Sequence, residues 1–245
     1  MVEIVGAHGD PPPDRSDGAD GTPGVERLLA LTDGVVAIAL TLLVLQLVVP
    51  TLDGVTSAQS HSAQYLWDQL VRTGGDQFTA YLISFYVIAQ FWLTHHRVFR
   101  SIRGHVEGLA WWNFAFLFTI TLMPFTSDLL GRFGHNPLAI DIFALNLVLA
   151  TAATQGVRIF ARRHDLLTAG VIDEEVRAGY VRSACVVAVV SFTAALAWFN
   201  TAVAQYCWLL LIPIQRVADR IARRFPGRPR SDQAPLAPAV GEQRG

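Results

Sequence analysis

The chain has 245 residues, 52% of them hydrophobic and only 16% charged, where a soluble domain carries roughly 25% charged residues. The formal net charge of −1 by itself says nothing about a nucleic-acid partner, and none is expected. All 19 basic residues are Arg, and Cys185 and Cys207 both lie in apolar runs, so no disulfide framework and no metal-ligand spacing follows.

What remains is an all-α architecture, a polytopic membrane helix bundle. A bilayer core of ~30 Å is spanned by roughly 20 mostly apolar residues in a helix. Residues 1–24 are polar and rich in Pro, Gly and Asp, with no basic start ahead of an apolar stretch. They read as a disordered cytosolic tail and not as a signal peptide. Charge is then absent from residues 34–52, 77–94, 108–127, 142–157 and 183–215. The last run, as one helix, would be ~50 Å long. That is too long for one crossing, and Asn200-Thr201 offers a turn in its middle.

Six spans are therefore expected, at about 27–49, 76–98, 107–130, 138–161, 176–198 and 201–218, in a transmembrane domain over 25–220. A first outer loop is expected over 50–75 and a basic disordered tail over 221–245. Arginine placement selects six spans over five, because cytoplasmic loops are enriched in basic residues. With both ends cytosolic, seventeen arginines lie inside, against Arg72 and Arg132 outside. Pro124, in the outer part of span three, is expected to loosen or kink that helix.

Ionisable groups inside membrane spans are costly and call for an explanation. Asp33 lies about two turns into span one. Arg27 is six positions earlier, about 120° around the helix, so the two are not an i,i+4 pair. Asp33 must then find partners on other helices. Span two ends on Trp92-Leu-Thr-His95-His96-Arg97, and span three begins with Trp111-Trp112-Asn113, at the same depth. A buried network of Asp, His, Asn and Trp is expected there. Such a network staples helices together, and in a channel it would also set the shape of the pore.

His95, His96 and His105 do not make a convincing metal site, because adjacent histidines on a helix point about 100° apart. Only Asp33 and Glu107 are companion carboxylates. No nucleophile in a recognisable setting, no paired aspartates within spans and no HExxH motif marks an enzyme, so neither catalysis nor a cofactor is expected.

Span one is apolar all round, and periodicity selects no face. Ile38, Leu42 and Leu45 fall at i, i+4 and i+7, with Thr41 adjoining, a stripe that suits ordinary helix packing. The TVGYG loop of carbonyl-lined potassium filters and the arginine-rich helix of voltage sensors are both absent.

Arg27-x-x-x-Leu31-Thr32-Asp33-Gly, followed by the apolar run through Leu45, resembles the signature of the transmembrane protein 175 family of potassium channels, in its prokaryotic six-span branch. Further matches follow in order: Phe85 through Trp92-x-x-His95-His96-x-x-Phe99, Trp112-Asn113-x-x-Phe116-Leu117, Pro124-Phe125, and Ala144-Leu145-Asn146. The resemblance covers roughly residues 25–165; the last two spans match mainly in hydropathy. It departs from the family pattern at Leu31 and Thr32, where the family has Phe and Ser. Thr keeps the hydroxyl, whereas Leu loses ring area.

The resemblance implies a homotetramer in the plasma membrane of a prokaryote, passing K⁺ through a pore lined by span one of each subunit. Rings of apolar side chains at Ile38, Leu42 and Leu45 would replace a carbonyl filter, and Thr41 would bear on selectivity. Arg27, Thr32, Asp33, Trp92, His95, His96 and Asn113 would form a structural network. The competing readings are a secondary transporter, which would show a broken helix with a polar site near the midplane, and a non-conducting scaffold.

Overall fold

The computed structural model describes residues 23–49, 56–57, 61–104, 107–167, 173–208 and 220. The two expected tails fall almost entirely outside these residues. The described chain is helical: α1 (Pro23–Val44), α2 (Ala63–Arg100), α3 (Glu107–Phe133), α4 (Pro137–Arg163), α5 (Asp173–Ala197) and the short α6 (Thr201–Cys207). By length and composition α1, α3, α4 and α5 can each cross a membrane. Long apolar helices with every backbone group bonded internally are what a lipid environment demands.

Direction alternates from helix to helix. Val25 and Leu28 of α1, Val98 and Phe99 of α2, Leu109 of α3, and Val157 and Ala161 of α4 share one apolar cluster. That brings the starts of α1 and α3 together with the ends of α2 and α4. α5 runs against α4. Gln155 donates to the Gly179 carbonyl at 3.2 Å, and at the opposite end Trp198 Nε1 donates to Asp141 Oδ2 at 3.0 Å. Arg27, Arg97, Arg100, Arg158, Arg162, Arg163, Arg177 and Arg182 consequently gather at one end of the bundle.

α3 and α4 share the most extensive interface. α1 packs on α2 and α3, and α5 on α4 and α6. Lipid tails are as apolar as Leu, so close packing and hydrogen bonds hold such a bundle, not expulsion of water. Two glycines let α3 and α4 approach. A methyl group on Gly108 would collide with the Phe160 ring, and one on Gly156 with the indole of Trp112. Each helix thus seats an aromatic ring of its partner on a bare stretch of backbone.

One feature departs from the sequence reading. The helix expected over 76–98 begins at Ala63, where Ser62 accepts a bond from Tyr65 N at 3.3 Å as the N-cap. Residues 63–75, expected in a loop, include the strong helix formers Ala63, Gln64, Leu66, Gln69, Leu70 and Arg72, and Gly74-Gly75 costs only about 1 kcal/mol each within a helix. At 38 residues the helix is ~57 Å long, so its first part projects beyond a ~30 Å core. Pro124 sits inside the helix that runs from Glu107 to Phe133.

Candidate functional site

α1 has two unlike faces. Val25, Leu28, Thr32, Val36, Ala39 and Leu43 recur at spacings of three and four and are buried, as expected of a helix face turned to a core. The opposite face stands open. Ile38, Leu42 and Leu45 are 60%, 44% and 77% exposed, against 2% for Ala39 and 0% for Leu43. Asp33, Gly34, Ala37 and Thr41 complete the open face. Large aromatics are absent from it. The exposed face of α3, by contrast, carries Trp111, Phe114, Phe118 and Phe125.

At the arginine end, polar side chains join three helices. Asn113, Thr32 and His95 are all buried. Thr32 Oγ1 lies 2.9 Å from the Leu28 carbonyl oxygen and 3.1 Å from Asn113 Oδ1, and His95 Nε2 is 2.8 Å from the same Asn113 oxygen. A hydroxyl carries one proton, so Thr32 cannot donate to both oxygens. With the Asn113 amide turned end for end, its NH₂ donates to Thr32 and to His95, and the Thr32 proton goes to Leu28. This arrangement also gives partners to Asn113 Nδ2, which otherwise has none. The His95 ring is held flat between Phe99 and Phe116, with centroids 4.3 Å and 4.4 Å away.

Asp33 belongs to a separate contact. Trp92 Nε1 donates to Asp33 Oδ1 at 2.7 Å, and His96 lies against the Trp92 ring at 5.6 Å. The sequence reading put Asp33 in a buried network with His, Asn and Trp. The structure brings it to Trp92, on the exposed side of α1, because Thr32, one residue earlier, takes the inward position. Arg27 is exposed and has no partner among the described residues. His105 lies outside the described residues, and no group of three or more His, Cys, Asp or Glu able to hold a metal is found among them.

The far end of α1 is tied as well, by residues that sequence reasoning missed. Gln46 donates from Nε2 to the Pro124 carbonyl, and Val48 N donates to Gln77 Oε1 at 3.3 Å. The available signal was a lone Gln at the end of an apolar run, with Pro124 in the outer part of span three. Between these two ties, Val35, Ile38, Ala39 and Leu42 line a cavity of about 150 Å³ with Thr121 and Pro124 of α3.

Known proteins similar to this chain share one family and differ in the ion for which they are named. Residues 27–124 match the family model described as endosomal/lysosomal potassium channel TMEM175. A protein of Chryseobacterium sp. (strain P1-3) named as a potassium channel is 30% identical over 129 residues, 52% of this chain and 59% of that one. One of Chamaesiphon minutus, also named as a potassium channel, is 35% identical over 114 residues, 46% of this chain and 52% of that one. The human endosomal/lysosomal proton channel TMEM175 is 28% identical over 151 residues, 61% of this chain and 28% of that one. The match thus spans little more than half the length of the two bacterial relatives. In fold, the chain is similar to the crystal structure of a lysosomal potassium-selective channel TMEM175 homolog from Chamaesiphon minutus. The TM-score is 0.64 at 24% identity, covering 80% of this chain and 98% of that one.

Proposed function

We propose, from the premise that this chain belongs to the TMEM175 family through residues 27–124, that it is a potassium-preferring cation channel of the prokaryotic plasma membrane, active as a homotetramer. In this reading residues 25–220 form a six-span channel domain between cytosolic tails 1–24 and 221–245, with the arginine-rich end of the bundle facing the cytosol. The alternating helix directions and the one-sided arginines support that topology.

The observation that carries the proposal is the open face of α1. A helix bound on one side and bare on the other, with aliphatic and small residues where its neighbour α3 shows aromatics to lipid, suits the wall of a shared pore. The cavity beside Ile38 and Leu42 gives a neighbouring copy's helix a seat. Four α1 helices would then set rings of Ile38, Leu42 and Leu45 around the axis, each a barrier that works by dewetting when narrow. Selection of K⁺ over Na⁺ rests on the lower cost of dehydrating K⁺. Thr41 is placed to add to it, because its hydroxyl proton is held by the Ile38 carbonyl at 2.8 Å and its lone pairs are left for a cation.

The test is ion flux from liposomes holding the purified full chain. Faster K⁺ than Na⁺ efflux is expected. No flux would favour a scaffold, and saturable exchange coupled to a second solute would favour a transporter.

A further inference from the structure

A second site lies away from α1, between α2, α4 and α5. Three arginines from three helices line one pocket there: Arg97 near the end of α2, Arg158 in α4 and Arg182 in α5, with the hydroxyls of Thr94 and Ser101 beside them. Arg158 is buried, which is unusual for a guanidinium in a helix of this kind. Its seat is built for it. A methyl group on Gly179 would collide with the guanidinium, Tyr180 lies 5.8 Å below it, and Gln155 accepts from its Nη1 at 3.4 Å.

From this pocket an apolar groove continues along the bundle. Thr94 and Arg182 line both, and Tyr86, Phe91, Leu147 and Val186 line the groove beyond them. One end is cationic and the other is greasy. The segments that supply it, 97–107 and 158–182, hold eight arginines against five carboxylates, so these segments are net positive even with every carboxylate ionised. It sits at the arginine end of the helices, at the level of lipid headgroups in a bilayer.

We propose that this cleft binds an anionic phospholipid, with the headgroup phosphate among Arg97, Arg158 and Arg182 and one acyl chain in the groove. Basic pockets between membrane helices bind lipid phosphates in this manner, and guanidinium groups match phosphate geometry in pairs of parallel hydrogen bonds. A free phosphate would use the pocket but not the groove, whereas a zwitterionic lipid such as phosphatidylcholine brings a choline cation that offsets its phosphate and is repelled by the three arginines. The proposal rests on the reading of the chain as membrane-embedded, and it is independent of which ion the chain passes.

The test is native mass spectrometry of the detergent-solubilised full chain with equimolar dioleoyl phosphatidylglycerol and dioleoyl phosphatidylcholine. The wild type should retain phosphatidylglycerol in preference. Arg97→Gln with Arg182→Gln should lower that retention by about 25-fold, roughly fivefold for each arginine near an anionic surface. Should that pair of changes prevent folding, Val186→Phe blocks the groove and keeps every charge, and its phosphatidylglycerol retention should fall toward that of phosphatidylcholine. Equal retention of the two lipids by the wild type would overturn the proposal. So would unchanged retention in a folded variant, or thermal stabilisation by inorganic phosphate alone as large as that given by phosphatidylglycerol. The readout is binding, so it stands even if the chain passes no ions.

Discussion

The two faces of α1 obey different physics. The inner face is fixed at one end by Thr32, Asn113 and His95 and at the other by Gln46 on the Pro124 carbonyl. The outer face, from Ile38 to Leu45, touches little of its own chain. In a membrane the first kind of contact holds the helix, because packing and hydrogen bonds are the forces available there. The second is left for whatever lies outside the subunit. In the proposed reading the polar residues, which attract attention first, hold the helix, and the unremarkable aliphatic stripe is the candidate for function. Substitutions that separate the two faces test this division.

The largest effect is expected at Asn113. Asn113→Ala strips partners from both Thr32 and His95 deep in the bundle, where a buried polar group left unsatisfied costs about 1–3 kcal/mol. A lower melting temperature in detergent and less assembled protein should follow. Normal stability would show that the amide bonds carry little.

Ile38→Asn comes next and should do the reverse. It leaves folding intact, since the position is exposed, and it wets an apolar ring. Liposome flux should rise severalfold while the ratio of K⁺ to Na⁺ falls. Leu42→Ala should act in the same direction but less, because it widens one ring and leaves its neighbours apolar. Unaltered flux in both would count against the stripe as a pore wall.

The smallest effect is expected at the Asp33–Trp92 contact. Trp92→Phe removes one donor at an exposed carboxylate, worth about 1 kcal/mol. Asp33→Asn keeps an acceptor oxygen and should resemble the wild type, whereas Asp33→Ala should resemble Trp92→Phe. Thermal melts of the three distinguish these outcomes, and equal stability of all three would show that the contact holds nothing.

Much of the anchor was legible because polar residues in apolar runs declare themselves. His95 and Asn113 stood at a common depth with Asp33, and the structure brings the first two within hydrogen-bonding distance; Thr32, which joins them, was named only through the family resemblance. The 120° between Arg27 and Asp33 on a helix already argued against pairing them. The partner of Asp33 was harder to read. Trp92 and His96 are one turn apart on the same face of α2, and only packing decides that the indole reaches the carboxylate. The start of α2 was hidden because the absence of charge marks the stretch suited to lipid and not the helix, which runs thirteen residues further back to Ala63. The open face of α1 could not be read at all from periodicity, since a helix apolar all round has no moment. It took the burial of Val36, Ala39 and Leu43 to separate one apolar side from the other.

The most direct test of the stripe is chemical access. In a chain whose Cys185 and Cys207 are replaced by Ser, cysteine is placed singly at Ile38 and at Phe118, both exposed in the subunit. K⁺ flux is then followed in liposomes before and after a membrane-impermeant cationic methanethiosulfonate reagent. Ile38→Cys should be blocked and Phe118→Cys untouched, because in the proposed pore only the first would line a watery path. Block at Phe118→Cys with none at Ile38→Cys would contradict the account.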